Sequence, residues 1–313
     1  MSLIERAADI LGSDTEAHRK PSTNLHAPGT PEPGAIERAV SKEQQQPGFA
    51  PEQKQPAASA REGKPPRPGD RVSRALKIDW NRLRQQNIIT LEDKRTAIAE
   101  NFRRIKRHIL DNLASPNAGP GTNLVMITSS LPGEGKTFCA VNLAISMAME
   151  MDRTVLLVDA DVAKPSISDV LGIKAEAEMG LMDVLSDRGI DLASVMFKTD
   201  MASLSILPAG TRHARATEVL ASVRMRILIQ EMAHRYPDRV IIFDSPPLLV
   251  ASEATALANL MGQILIVVEA GVTPEATLKS ALGRIESRNV LGVLLNKGAA
   301  PQSEYGYGSY GYD

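Results

Sequence analysis

Residues 124–148 read LVMITSSLPGEGKTFCAVNLAISMA, and this stretch decides the fold. Leu124 to Thr128 is an apolar run of strand length. Ser129-Ser130-Leu131-Pro132-Gly133-Glu134-Gly135-Lys136-Thr137 follows, and then an apolar segment of helical length. Strand, glycine-containing loop, Gly-Lys-Thr and helix in that order match the phosphate-binding loop template, with Ser130 where the first glycine normally stands. Gly133 and Gly135 let backbone N–H groups close around phosphate oxygens, and the helix N-terminus adds the positive end of its dipole. Lys136 is expected on the β- and γ-phosphates of ATP, and the Thr137 hydroxyl on Mg2+. The nucleotide-binding residues read here are Ser130, Pro132, Gly133, Glu134, Gly135, Lys136, Thr137 and Phe138.

Two further strands end in aspartate. Val155-Leu156-Leu157-Val158-Asp159-Ala160-Asp161 is one, and Val240-Ile241-Ile242-Phe243-Asp244-Ser245-Pro246-Pro247 is the other. In open α/β sheets, ligands bind at the carboxyl ends of the strands. Alternation along an extended chain puts Asp159 and Asp161 on one side. Asp244 is the natural Walker B acid, on Mg2+ directly or through water. Of the other two, one can help hold Mg2+ and one can accept a proton from an attacking hydroxyl. Asp159 is assigned as the base and Asp161 to the metal, roles that could be exchanged. Asn296, ending the last strand, is the candidate for contact with the base of the nucleotide.

Around these motifs, strands alternate with helical segments. The strands read are Leu124–Thr128, Thr154–Asp159, Ser203–Leu207, Val240–Asp244, Ile264–Glu269 and Leu291–Asn296. Continuous Val, Ile and Leu runs suit a parallel sheet covered on both faces. The expected fold is therefore a doubly wound, mostly parallel α/β sheet. A helix is predicted over Thr96–Leu113, with Ala97, Phe102, Ile105, Ile109 and Leu110 on its apolar side. Ala75 to Ile89, which holds the only tryptophan, Trp80, is expected to pack back on the sheet.

The N-terminal quarter reads differently. Ten of the 20 prolines fall between Ser13 and Arg71 among Gln, Glu, Lys and Ser, so residues 13–71 are read as a disordered linker. Before it, Leu3, Ile4, Ala7, Ile10 and Leu11 have helical spacing, and residues 1–12 are expected to form a short helix that docks on a partner or frays. Residues 72–298 are read as the P-loop domain and residues 299–313 as a flexible tyrosine-rich tail. Net charge is −1, which gives no reason to expect nucleic acid or an anionic membrane as partner. The single cysteine, Cys139, makes no internal disulfide, in keeping with a reducing cytoplasm. No apolar run approaches the roughly 18 residues of a membrane span, and the N-terminus lacks the pattern of a secretory signal. Membrane association is thus expected only through a partner.

The segments SSLPGEGKT, VLLVDAD with Lys164-Pro165 after it, and VIIFDSPP resemble the bacterial tyrosine kinases, whose P-loop fold is of the MinD/ParA-like type. The Ala209-Gly210 turn and Ala216-Thr217-Glu218-Val219-Leu220 also match, and the likeness runs from about Ala97 to the C-terminus. More narrowly, the MSLIERA start, the proline-rich linker and the Tyr-Gly tail are similar to exosortase-associated autokinases of exopolysaccharide loci. The resemblance implies a protein-tyrosine autokinase using ATP and Mg2+, with Lys136, Asp159, Asp161 and Asp244 as its catalytic set. It also implies a homo-oligomeric ring, built in part through an E-x-x-R-x-x-R helix motif. Here that motif is Glu100, Arg103 and Lys106, with lysine in the last place; Ala163 likewise stands where the family usually has arginine. Expected partners are other copies of the chain, a membrane chain-length-determining activator (a polysaccharide copolymerase) and a tyrosine phosphatase.

Tyr305, Tyr307, Tyr310 and Tyr312, four of the five tyrosines, lie in the last nine residues, between Gly and Ser. A glycine-rich segment can present each ring to an active site. Beside an ATP site they are read as autophosphorylation sites, served in trans by a neighbour in the ring. Two other functions compete. One is a MinD/ParA-type positioning switch, an ATPase without protein phosphorylation; Leu131 stands where such proteins carry an extra lysine, and the tail is no basic amphipathic helix. The other is an adaptor in which the N-terminal helix and linker matter more than catalysis.

Overall fold

Eight strands lie edge to edge: β1 (Arg74–Leu76), β2 (Leu124–Ser129), β3 (Thr154–Asp159), β4 (Phe197–Thr199), β5 (Leu204–Leu207), β6 (Arg239–Asp244), β7 (Gln263–Glu269) and β8 (Val290–Asn296). Their spatial order is β1-β4-β5-β3-β6-β2-β7-β8. Every neighbouring pair is parallel except β4 with β5. This computed structural model describes residues 74–92, 96–172, 179–235, 238–285 and 289–298. The expected N-terminal helix, the linker and the tyrosine tail all lie outside the described residues.

The central strands carry apolar side chains on both faces, as a parallel sheet between two helical layers requires. Val125 and Ile127 of β2, Val155 and Leu157 of β3, and Val240 and Ile242 of β6 enter one core. The alternate residues Met126, Leu156, Val158, Ile241 and Phe243 enter the other. The first core is covered by the helices Lys136–Ala148 and Ala97–Ala114. The first of these is buried along nearly its whole length because it lies between the sheet and the second. Thr96 caps the second, its hydroxyl accepting the Ala99 N–H at 3.2 Å. Phe102 meets Phe138 edge-on at 6.4 Å between ring centres.

The six strands read from sequence are all present, within a residue or so at each end. β1 and β4 were not expected. Each has three residues, and RAL and FKT carry no apolar run; pairing with a neighbour, which is a tertiary event, makes them strands. The segment after β1 does pack back on the sheet. Ile78, Leu83, Ile88 and Ile89 are buried, and the Ile89 N–H donates to Asn142 Oδ1 at 2.8 Å.

Past β5 the chain turns at Ala209-Gly210 against the start of the Leu181–Ser186 helix. Asp183 Oδ2 accepts N–H groups from Gly180 (2.7 Å) and Thr211 (3.0 Å). These donors outweigh burial and hold the Asp183 carboxyl below its ordinary range. Gly180 has no room for a side chain: a Cβ would stand 2.2 Å from Pro208 O and 2.6 Å from Gly210 N. Both obstacles are backbone atoms. Gly180→Ala is therefore expected to destabilise the fold by about 1–3 kcal/mol, the range for forced overpacking. A lower denaturant midpoint in urea unfolding at unchanged m-value checks it.

Candidate active site

β2, β3 and β6 are adjacent and parallel, so their carboxyl ends open on one edge of the sheet. Asp159 and Asp244 pair in register across β3 and β6, and Ile127 of β2 pairs with Asp244. Alternation carries both aspartates to the face of Val155, Leu157, Val240 and Ile242, which is the face of the Lys136–Ala148 helix. That helix begins at Gly135, whose φ of 95° lies in the left-handed region that glycine enters without strain. Gly133, at φ 88°, makes the other bend of the loop.

The polar groups that converge here are almost wholly buried. Asp159 and Asp244 are 0% exposed and Asp161 is 3% exposed. Lys136 Nζ lies 2.7 Å from Asp161 Oδ2. Asp159 Oδ2 accepts the N–H groups of Ser166 and Ile167, both at 3.0 Å, while its Oδ1 is without a partner. Neither oxygen of Asp244 has a hydrogen-bond partner of ordinary geometry. The Thr137 hydroxyl, near Asp244, is paired with Ser166 Oγ at 2.9 Å.

Burial raises the Asp159 carboxyl well above its ordinary range, and the Asp244 charge adds to the rise; the Ser166 and Ile167 donors only partly oppose it. Burial raises Asp244 as well, and Lys136 and Thr137 bring it only partway back. Burial disfavours the Lys136 ammonium, yet the Asp244, Asp161 and Asp159 charges outweigh it, so its pKa lies above the usual value. Buried Cys139 is pushed up to about 12 by desolvation and then by Asp244, which leaves an inert thiol.

Among the described residues no three His, Cys, Asp or Glu side chains form a chelating group. Mg2+ needs none, since it is usually held by one or two carboxylates, phosphate oxygens and water. The partnerless oxygens of Asp244 beside the Thr137 hydroxyl fit such an ion.

Several loop residues contribute backbone only. Phe138 packs its ring on the first core, and Glu134 turns its carboxylate inward, so each can offer a nucleotide only its N–H. Ser130 Oγ is buried without a partner. Asn296, the candidate base contact, has its Nδ2 on the loop, donating to Glu134 O at 2.9 Å. On the Ala97–Ala114 helix, Glu100 bonds Arg103 at 2.5 Å. Lys106 is instead directed inward, to Ser146 O at 3.0 Å and Glu150 at 2.5 Å. The expectation of one shared face for Glu100, Arg103 and Lys106 thus meets a lysine already engaged within its own chain. Ser166 was missed from sequence. Its signal is the Lys164-Pro165-Ser166 run, a proline turn leading into a helix start.

The fold and this edge define a P-loop nucleotide-binding domain, and a family described as an AAA domain matches residues 122–287. Tyrosine-protein kinase YwqD of Bacillus subtilis is 31% identical over 237 residues, covering 74% of this chain and 95% of that protein. The succinoglycan biosynthesis transport protein ExoP of Rhizobium meliloti is 35% identical over 215 residues, covering 67% of this chain; the match spans only 26% of ExoP. Among solved structures, the kinase domain of the Escherichia coli tyrosine kinase ETK superposes with a TM-score of 0.58 at 25% identity, covering 75% of this chain and 94% of that one. The chain belongs to the bacterial tyrosine kinase family. Among the described residues no helix is long and apolar enough to cross a membrane.

The buried carboxylates give the free protein a pH dependence of definite sign. Asp159 and Asp244 have folded pKa values above those of the unfolded chain. As pH rises past the ordinary carboxylate range, near 3.9, the unfolded chain loses these protons first. The folded state then binds more protons, so stability falls with rising pH until the folded groups also ionise. Asp244→Asn removes one of the two groups. Without nucleotide, its melting temperature is expected to exceed that of the wild type at pH 8, by about 2–4 °C per kcal/mol gained, with a shallower fall from pH 5. Thermal melts across that range test it.

Proposed function

We propose that this chain transfers the γ-phosphoryl group of ATP to tyrosine hydroxyls, those of its own tail foremost. The observation that carries the reading is the pair of buried, partly partnerless carboxylates, Asp159 and Asp244, in register beside Lys136 on a phosphate loop. N–H groups from Gly133 to Thr137 would face the phosphates. Lys136 would exchange Asp161 for oxygens of the β- and γ-phosphates. Thr137, Asp244 and Asp161 would hold Mg2+, which supplies neutralisation of the charge on the phosphate oxygens.

The acceptor enters in line with the bond to be broken. The phenol oxygen bonds to the γ-phosphorus as the bond from that phosphorus to the β,γ-bridging oxygen breaks, and ADP leaves. The phenol proton passes to Asp159, whose Oδ1 is unengaged while its Oδ2 is anchored by Ser166 and Ile167. Asp161 is engaged by the Lys136 ammonium whereas Asp159 keeps one oxygen unengaged, which favours Asp159 for this role.

Tyr305, Tyr307, Tyr310 and Tyr312 are the proposed acceptors, reached in trans within a homo-oligomeric ring. Glu100 and Arg103 would contribute to its contacts, with Lys106 supporting their helix from within. A membrane chain-length determinant would activate the kinase from a separate polypeptide and bring it to the membrane, and a tyrosine phosphatase would reverse it. Each phosphate adds roughly −1.5 to −2 charges and would loosen a ring through repulsion. The output would be control of exopolysaccharide synthesis and export.

Incubation with Mg-ATP followed by phosphosite mapping tests the core of this. Label is expected on residues 305–312 and absent in Lys136→Met, and Asp159→Asn should slow labelling by about 10²–10⁴-fold, the usual worth of a general base. Label confined to other residues would defeat the tail assignment. ATP turnover without any phosphotyrosine would favour a nucleotide switch.

A further inference from the structure

A second set of contacts on the phosphate loop uses none of the three aspartates. Glu134 is only 3% exposed, although it is an acid in a loop at the sheet edge. Its Oε2 accepts the Leu131 N–H at 2.7 Å, and its Oε1 accepts a short hydrogen bond from the Thr273 hydroxyl. Its backbone carbonyl accepts Asn296 Nδ2 at 2.9 Å. Thr273 is itself fixed, its hydroxyl accepting the Glu269 N–H at 3.0 Å. Asn296 is fixed at its carbonyl, which accepts the Ala270 N–H at 2.8 Å. The loop is therefore clasped at two points, by the turn after β7 and by the end of β8, from residues 139 and 162 positions further along the chain. The fit at the second point is close: a Cβ on Gly135 would stand 2.0 Å from Asn296 Nδ2.

We propose that Thr273 and Asn296 are positioning residues for nucleotide phosphate binding, acting through Glu134. This rests on the reading of the loop as a nucleotide site. The clasp has two effects. It ties residues 131–135 to the turn after β7 and the end of β8, and so would fix the loop from which the N–H groups beyond Gly133 reach the phosphates. It also keeps a carboxylate turned into the protein. Released, Glu134 would place a free negative charge in a loop whose task is to hold an anion, and like charges at such range disfavour each other strongly. The Leu131 N–H is spent on Glu134, which leaves the phosphate cradle to the residues from Gly133 onward.

Isothermal titration with Mg-ADP tests the proposal without requiring phosphotransfer. Thr273→Val keeps the shape of the side chain but cannot donate, and should weaken Mg-ADP binding by roughly tenfold, as expected for a lost hydrogen bond to a charged group. Thr273→Ser should stay within about twofold of wild type, since the hydroxyl returns. Asn296→Asp puts an acceptor against the Glu134 carbonyl and should weaken binding in the same way; it carries the test should Thr273→Val fail to fold. In steady-state phosphorylation, T273V should raise KM for ATP more than it lowers kcat. T273V binding as tightly as wild type, or T273S as weakly as T273V, would overturn the proposal while leaving the nucleotide site intact. Wild-type protein that binds no Mg-ADP would overturn the site itself, and this inference with it.

Discussion

The structure depends on charge that the fold buries without fully neutralising it. Asp159 and Asp244 sit side by side at the ends of adjacent strands, Asp161 lies just beyond, and Lys136 is the ammonium that faces them. Buried carboxylates without partners cost free energy, and two in contact cost more. Two continuous apolar cores, one on each face of the sheet, offset that cost. A polar edge that opposes folding is what an active site assembled for a charged ligand looks like, because the missing interactions are those the ligand supplies.

Local backbone geometry makes the arrangement almost unavoidable once the sheet is parallel. Strands β2, β3 and β6 run the same way, and Asp159 and Asp244, the last residues of β3 and β6, come level with each other and with Ile127 of β2. Alternation with a period of two then sends Asp159 and Asp244 to the side of the helix that starts at Lys136. That helix starts there because Gly135 accepts a left-handed conformation. One element delivers the anion-binding N–H groups and the ammonium, and two others deliver the carboxylates. Ser166 connects them, with its N–H on Asp159 and its hydroxyl on Thr137.

What could be read from sequence follows the same physics. Long apolar strands, the glycine-bounded loop and the strand-ending aspartates announce themselves, because each needs a particular residue type at a particular spacing. β1 and β4 do not, since three residues become a strand only when a neighbour supplies the hydrogen bonds. The orientation of Lys106 was equally hidden. Helical spacing places it one turn from Arg103, but only the packed structure brings Ser146 and Glu150 within its reach. Thr273 has no motif around it that points to the loop, for its bond to Glu134 arises from the close approach of the turn after β7. Asn296 stands out in the sequence by its position at a strand end, but its bond to the loop backbone is set by the tertiary packing of β8 against the loop.

The balance of charge also orders the events of binding. Lys136 is already paired with Asp161, so a triphosphate must compete for it with a carboxylate at 2.7 Å. Moving the ammonium to phosphate would leave Asp161 uncompensated beside Asp159 and Asp244, just as several more negative charges arrive. In a site this dry such charges are poorly screened. A divalent cation entering with the nucleotide would remove the conflict, because it would neutralise phosphate and carboxylate together and let the lysine move. On the proposed function, nucleotide and metal would therefore enter this edge together, each offsetting the charge the other brings.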